Sequence, residues 1–132
     1  MPDPTRRDGE RGSSTVDFVL VGALLTVLTL GVLQLGMVIH VRNIVHDAAV
    51  EGAHHAALAD ASLADGVERT RLVISRAVGA RYAEDITARH TSALGHSAIE
   101  IRVRTVLPLV GLLGIERGLE VSAHAPAEGF DD

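Results

Sequence analysis

Residues 12–40 read GSSTVDFVLVGALLTVLTLGVLQLGMVIH, and this stretch decides the fold of the chain. After Asp17 the run is almost wholly apolar as far as Ile39. Its polar side chains are those of Thr26, Thr29 and Gln34. A helix needs about 20 apolar residues to cross a bilayer core of roughly 30 Å. The length of the run therefore predicts a transmembrane helix over about residues 16–39, with the lipid bilayer around it.

The composition of the chain excludes several classes of function. Its 132 residues suit one small domain beside a membrane helix. A net charge of -5 and an aromatic content of 2% oppose nucleic-acid binding, which depends on a basic patch and on stacking side chains. Because the chain has no cysteine, disulfides and thiolate metal sites are excluded as well.

The arginines on either side of the apolar run predict its orientation. Arg6, Arg7 and Arg11 precede the run, whereas Arg42 alone follows it closely. Basic residues near a membrane helix favour the cytoplasmic side. We therefore predict a single-pass protein of the cytoplasmic membrane, with residues 1–12 as a disordered cytoplasmic leader and the C-terminal part outside.

A cleaved secretory signal peptide is the main alternative for the same apolar run. Signal peptides have an apolar region of about 7 to 15 residues, followed promptly by a small-residue cleavage motif. The run in this chain is longer, and Ala57 and Ala59 lie too far downstream to serve as that motif. The sequence therefore favours a membrane helix that is retained.

The start of the run resembles a processing motif. Residues 12–18 (GSSTVDF), followed by an apolar helix, resemble the processing site of type IV prepilins. Most of the chain is similar to the TadE-like family of minor pilins and pseudopilins of tight-adherence pili. Members commonly show an Arg-Asn pair at the helix end and a Glu-Gly pair in an alanine-rich stretch. The matching stretches are residues 10–12 (ERG), 41–44 (VRNI), 48–53 (AAVEGA) and 99–125, the last with LPL at 107–109.

The resemblance implies a processing event and a set of partners. A prepilin peptidase is expected to cleave between Gly12 and Ser13, on the cytoplasmic side of the membrane. The other implied partners are pilin or pseudopilin subunits and the assembly platform with its ATPase. The family usually carries Glu at the fifth position after the cut, and Asp17 stands there in this chain as the candidate carboxylate for subunit assembly.

The chemistry of these residues can be argued without the resemblance. Gly12 offers a protease an unobstructed extended backbone. Asp17 follows Ser13 by four residues, so both lie on one helix face. A carboxylate in lipid favours a positive partner, which is either the chain's own new amine or that of a neighbouring subunit; the resemblance implies the neighbour. The alternative is that Asp17 lies among the headgroups and is stabilised by the helix dipole.

Two helices are predicted in all. The alanine-rich stretch after Ile39 contains no proline, so one long helix is predicted over residues 13–58. Ser62 and Asp65 form a capping-box pattern at the start of a second, amphipathic helix that is predicted to end at Ala83. Its apolar face is expected to comprise Leu63, Val67, Ile74, Ala77 and Val78.

The rest of residues 59–132 completes an extracytoplasmic α+β domain. Apolar and polar residues alternate over 99–105 and 119–125, which predicts a two-stranded antiparallel sheet packed on the second helix. Residues 87–95 are expected to form a loop, and the tail from Pro126 is acidic and loose. The connection 108–118 is apolar, and the sequence leaves open whether it is exposed or buried.

No arrangement of residues predicts catalysis or a bound ion. His54 and His55 are adjacent, so a helix directs them about 100° apart, and no H-E-x-x-H motif occurs. Neither a nucleophile elbow nor a phosphate-binding glycine loop is present. We therefore predict no enzyme activity, no metal, no cofactor and no small-molecule substrate.

The sequence thus favours a structural role over the alternatives. The preferred hypothesis is a minor pilin or pseudopilin that is processed by a prepilin peptidase and contributes to pilus assembly, with the cell surface as a destination after processing. The alternative is a single-pass anchored structural or interaction protein of another envelope complex, which keeps its leader. A membrane-tethered enzyme is a third hypothesis, for which the sequence offers no active-site constellation.

Overall fold

The computed structural model describes residues 5–58, 60–93, 95–108 and 118–127. It divides into two compact units, Met1–Gly36 and Met37–Asp132. The elements in chain order are helix α1 (Thr5–Ala57), helix α2 (Leu63–Ala77), a 3-10 turn (Ala80–Tyr82) and strands β1 (Asp85–Ala93), β2 (His96–Thr105) and β3 (Leu119–Pro126). The predicted α+β class, with a long apolar N-terminal helix, a second helix and an antiparallel sheet, is confirmed apart from the number of strands.

The first unit consists of the N-terminal part of α1. The helix begins at Thr5, so it includes residues that were predicted to belong to a disordered leader. Extending an existing helix by one residue adds one hydrogen bond without a new nucleation step, which favours this continuation. The hydroxyls of Thr26 and Thr29 each donate to the carbonyl four residues earlier, at 2.8 Å. These polar groups are thereby satisfied inside the helix, as a lipid environment requires.

The second unit has a core to which both helices and the sheet contribute. The sequence predicted that the sheet packs on α2; the core also includes the C-terminal part of α1. The buried side chains of α1 recur at helical spacing, which explains why this part of the helix is amphipathic although the preceding part is apolar on all sides. The core residues are Val41, Val45, Ala48, Ala49, Ala53, Ile74, Tyr82, Ala83, Ile86, Ile101, Val103, Leu119, Val121, Ala123 and Ala125.

The sheet has three strands in the order β1-β2-β3, with both pairs antiparallel. The prediction of two strands is therefore wrong, because most of the segment predicted as a loop at 87–95 belongs to β1. Apolar positions are sparse in β1, and Ile86 is its one buried large side chain, paired with Val103. Its extended conformation depends on pairing with β2, which lies across a tight turn where Gly95 has φ 82°.

Helix α2 begins where the sequence predicted and ends earlier. Ser62 and Asp65 form the predicted capping box: Asp65 N donates to Ser62 Oγ at 3.2 Å, and Ser62 N donates to Asp65 Oδ2 at 2.8 Å. The helix ends at Ala77 instead of Ala83, because Gly79 adopts φ 115° and donates to Ile74 O. Glycine adopts a positive φ without the steric cost of a side chain, so it is well suited to the position where the chain leaves the helix.

Two of the predicted segments lie outside the described residues. The apolar connection between β2 and β3 is described only at its two ends, since residues 109–117 are not covered. The acidic tail is covered only as far as residue 127.

Candidate functional site

Between Phe18 and Gly36, the surface of α1 is almost wholly apolar. Phe18 is 80% exposed, and the large side chains that follow it are more than half exposed as far as Ile39, apart from Gln34 and Val38. Helix α1 contains a segment, between Gly9 and Ala57, that is long and apolar enough to cross a membrane, and its most apolar part is not buried by the protein. Because a continuous apolar surface of this size is unfavourable in water, it requires lipid or another apolar partner.

The predicted processing residues lie within about one and a half turns of this helix. Gly12, Ser13 and Asp17 are all exposed in α1. A Cβ atom built on Gly12 would meet nothing within 4 Å, so packing within the chain does not require glycine there. Ser13 and Asp17 share a face, as the helix dictates for residues four apart. Within the described residues, the Asp17 side chain has no hydrogen bond or ion pair, so any partner for its carboxylate comes from elsewhere.

The second unit contains a close helix crossing that sequence reasoning did not find. A Cβ on Gly52 of α1 would overlap Thr70 Oγ1 and would lie 2.7 Å from the backbone oxygen of Gly66 in α2. A Cβ on Gly66 would lie 2.6 Å from Ala56 Cβ. Both positions therefore require glycine, and the buried residues of α2 are Gly66, Thr70 and Ile74. Of the predicted apolar face, Ile74 is buried, and Val67 and Val78 are partly buried against the core.

Glu51 forms an ion pair between the two helices at the exposed edge of this crossing. Arg69 Nε donates to Glu51 Oε1 at 2.7 Å, which joins α2 to α1 directly beside Gly52. Both side chains are 45% exposed. Solvent screening limits such a pair to about 0–1 kcal/mol. The Glu51–Gly52 pair thus has a structural role in this chain. Gly52 allows α1 and α2 to approach closely, and the Glu51 carboxylate adds a weak ion pair between the two helices.

A buried carboxylate organises the polar face of the sheet. Glu100 in β2 is 3% exposed and accepts hydrogen bonds from Arg89 in β1 and from Arg102, the latter at 3.0 Å. His124 in β3 lies 3.8 Å away. The hydrogen bond from Arg89 is the main cause, with that from Arg102, of a pKa for Glu100 below its ordinary value, although burial opposes this shift. As an anion, Glu100 therefore joins β1 to β2, and Arg102 extends the network to Glu120 in β3 at 3.3 Å.

The histidines do not converge on an ion site. Within the part of the chain that the structure describes, no group of three or more His, Asp or Glu residues could hold a metal ion. His54 and His55 are both exposed near the end of α1.

These features of the two units define a class of protein. A long exposed apolar helix, followed in the chain by a small α+β unit, indicates a single-pass, membrane-anchored protein. A family model described as TadE-like protein matches residues 12–54. The match covers 43 of the 132 residues and shows that this part of the chain is similar to TadE-like proteins, the family that the sequence motifs resemble. No curated protein and no solved structure matches the chain.

Proposed function

We propose that this chain is a minor pilin or pseudopilin of a tight-adherence pilus system that is processed after Gly12. The observation that carries the proposal is the family match over residues 12–54, which begins at the candidate cleavage glycine and covers the exposed apolar helix. In this view residues 1–12 are a cytoplasmic leader, residues 13–58 are the mature helix and residues 59–132 lie outside the membrane.

The exposed surroundings of Gly12 support access by a prepilin peptidase. Residues 9–13 are exposed, so unwinding them for cleavage disrupts helical hydrogen bonds and no core packing. Gly12 has open space where a side chain would lie, which makes processing, and not packing, our explanation for a glycine at this position. Cleavage would release the leader and leave an ammonium group on Ser13.

Asp17 is the proposed assembly carboxylate. It is exposed, and it has no partner among the described residues. A carboxylate carried into lipid needs a positive partner. The new ammonium of a neighbouring subunit supplies that charge in the proposed fibre or assembly intermediate, while the apolar helices bury their surfaces against one another.

N-terminal sequencing of the protein isolated from its host tests the proposal. A mature chain that begins at Ser13 supports processing as a prepilin. An intact leader supports the alternative, in which the same apolar helix anchors a structural or interaction protein of another envelope complex. Deleting the host's prepilin peptidase should restore the intact leader if the proposal is correct.

A further inference from the structure

A polar groove lies between α1 and β3 in the second unit. Its volume is about 430 Å³, and α1 contributes Arg42, Asn43 and His46 to its wall. The strand contributes Glu120, Val121 and Ser122. Apart from Val121 these residues are exposed, so their polar groups are accessible from solvent.

The available charge in this groove is positive. Arg42 has no hydrogen-bond or ion-pair partner among the described residues. Glu120, in contrast, is already paired with Arg102 at 3.3 Å and with Arg104 at 3.1 Å. The groove therefore combines an unpaired guanidinium with the amide of Asn43 and the hydroxyl of Ser122. Phosphate oxygens accept from all of these donors, and a guanidinium binds them with paired, charge-assisted hydrogen bonds.

The position of Arg42 in the chain identifies the source of the phosphate. Arg42 lies three residues beyond Ile39, the last residue of the apolar run, which is about 4.5 Å along a helix. Long basic side chains at such a position reach the headgroup layer. We propose that this groove binds the phosphodiester of an anionic lipid headgroup, of the phosphatidylglycerol class, where the helix leaves the membrane. This inference rests on the membrane insertion in the proposed function.

Spin-labelled lipids test the proposal on the full-length chain. The protein is reconstituted in phosphatidylcholine vesicles that contain a trace of spin-labelled phosphatidylglycerol or phosphatidylcholine, and the motionally restricted fraction is compared. The wild type should prefer phosphatidylglycerol. Arg42→Gln should reduce that preference about fivefold, the factor that corresponds to roughly 1 kcal/mol for one arginine at an anionic surface.

Arg76→Gln is the matched control. Arg76 is also exposed and without a partner among the described residues, but it lies in the last turn of α2 and does not line the groove. Both variants remove one positive charge, so a general electrostatic effect would lower the preference equally. An equal loss in the two variants, or an unchanged preference in Arg42→Gln, would overturn the proposal.

Two further measurements distinguish an error in the proposed lipid site from an error in the proposed function. In neutral detergent, added inorganic phosphate should leave the amide NMR signals of Asn43 and Ser122 unchanged; saturable shifts would identify free phosphate as the ligand and overturn the lipid assignment. Flotation of the vesicles reports insertion itself. A chain that does not float with the vesicles contradicts the proposed function, whereas a chain that floats without any effect of Arg42→Gln contradicts only the lipid site.

Discussion

The glycines of α1 differ sharply between the two units of the molecule. In the first unit, a Cβ atom on Gly12, Gly22 or Gly31 would meet nothing within 4 Å. In the second, a Cβ on Gly52 would overlap α2. Glycines of the same helix are thus subject to two different constraints. In the first unit its surroundings lie outside the chain, in lipid or in partners, whereas in the second they are the protein's own core.

The largest expected effect concerns processing. Gly12→Val should abolish cleavage, because the added side chain would obstruct the backbone at the cut while the fold has room for it. Mass spectrometry of the protein from its host measures the outcome. Gly9→Val is the matched control, since Gly9 is equally unobstructed, and it should be processed normally. Normal-sized mature product from Gly12→Val would contradict the cleavage site.

The helix crossing gives the next largest effect. Gly52→Ala should destabilise the second unit by about 3 kcal/mol or more, because the new methyl group meets the backbone of Gly66 and cannot be accommodated without shifting a helix. Urea unfolding in detergent can be followed by the fluorescence of Tyr82, which is buried and is the single tyrosine of a chain without tryptophan. Gly31→Ala should leave the midpoint unchanged, and equal midpoints for the two variants would refute the crossing.

Substitutions of Asp17 test the proposed role of the first unit in subunit assembly. Asp17→Ala should be cleaved normally, yet should lower incorporation into pili or assembly intermediates by about tenfold, through loss of an ion pair in a medium of low dielectric constant. Quantitative immunoblotting of purified fibres and of membranes provides the readout. Asp17→Glu should restore assembly. Undiminished incorporation of the alanine variant would remove Asp17 from the proposed mechanism.

Glu100 in the sheet should make the stability of the second unit depend on pH. Because the folded-state pKa of Glu100 is lowered, its contribution to stability is present above the unfolded-state pKa, ordinarily about 4.3, and is lost as the pH falls through the folded-state value. The unfolding midpoint should therefore fall on acidification in the wild type. The decrease should be smaller in Glu100→Gln, in which the side chain no longer titrates. Parallel pH profiles for the two proteins would count against this role.

The contrast also explains how much could be predicted from the sequence. The apolar helix and the capping box at Ser62 depend on residues close together in the chain, and both were predicted correctly. Strand β1 was missed because its conformation depends on β2. The contact of Gly52 with Gly66 was missed because neither glycine reveals its partner in the sequence. Glu100 occupied an alternating polar position, and its burial results from arginines on neighbouring positions of the sheet.

The smallest predicted effect concerns Glu51. It distinguishes the contribution of the Glu51 ion pair to stability from that of Gly52. Glu51→Gln removes the ion pair with Arg69 but leaves the helix crossing intact, so it should cost less than about 1 kcal/mol, since both side chains are nearly half exposed. The double variant with Arg69→Gln, measured by the same unfolding assay, isolates the pairwise energy. A loss comparable to that of Gly52→Ala would mean that charge holds α2 on α1. Because there is no room for a Cβ atom at Gly52, we expect the close approach of the two backbones to dominate the stability of the crossing and the Glu51 carboxylate to contribute little.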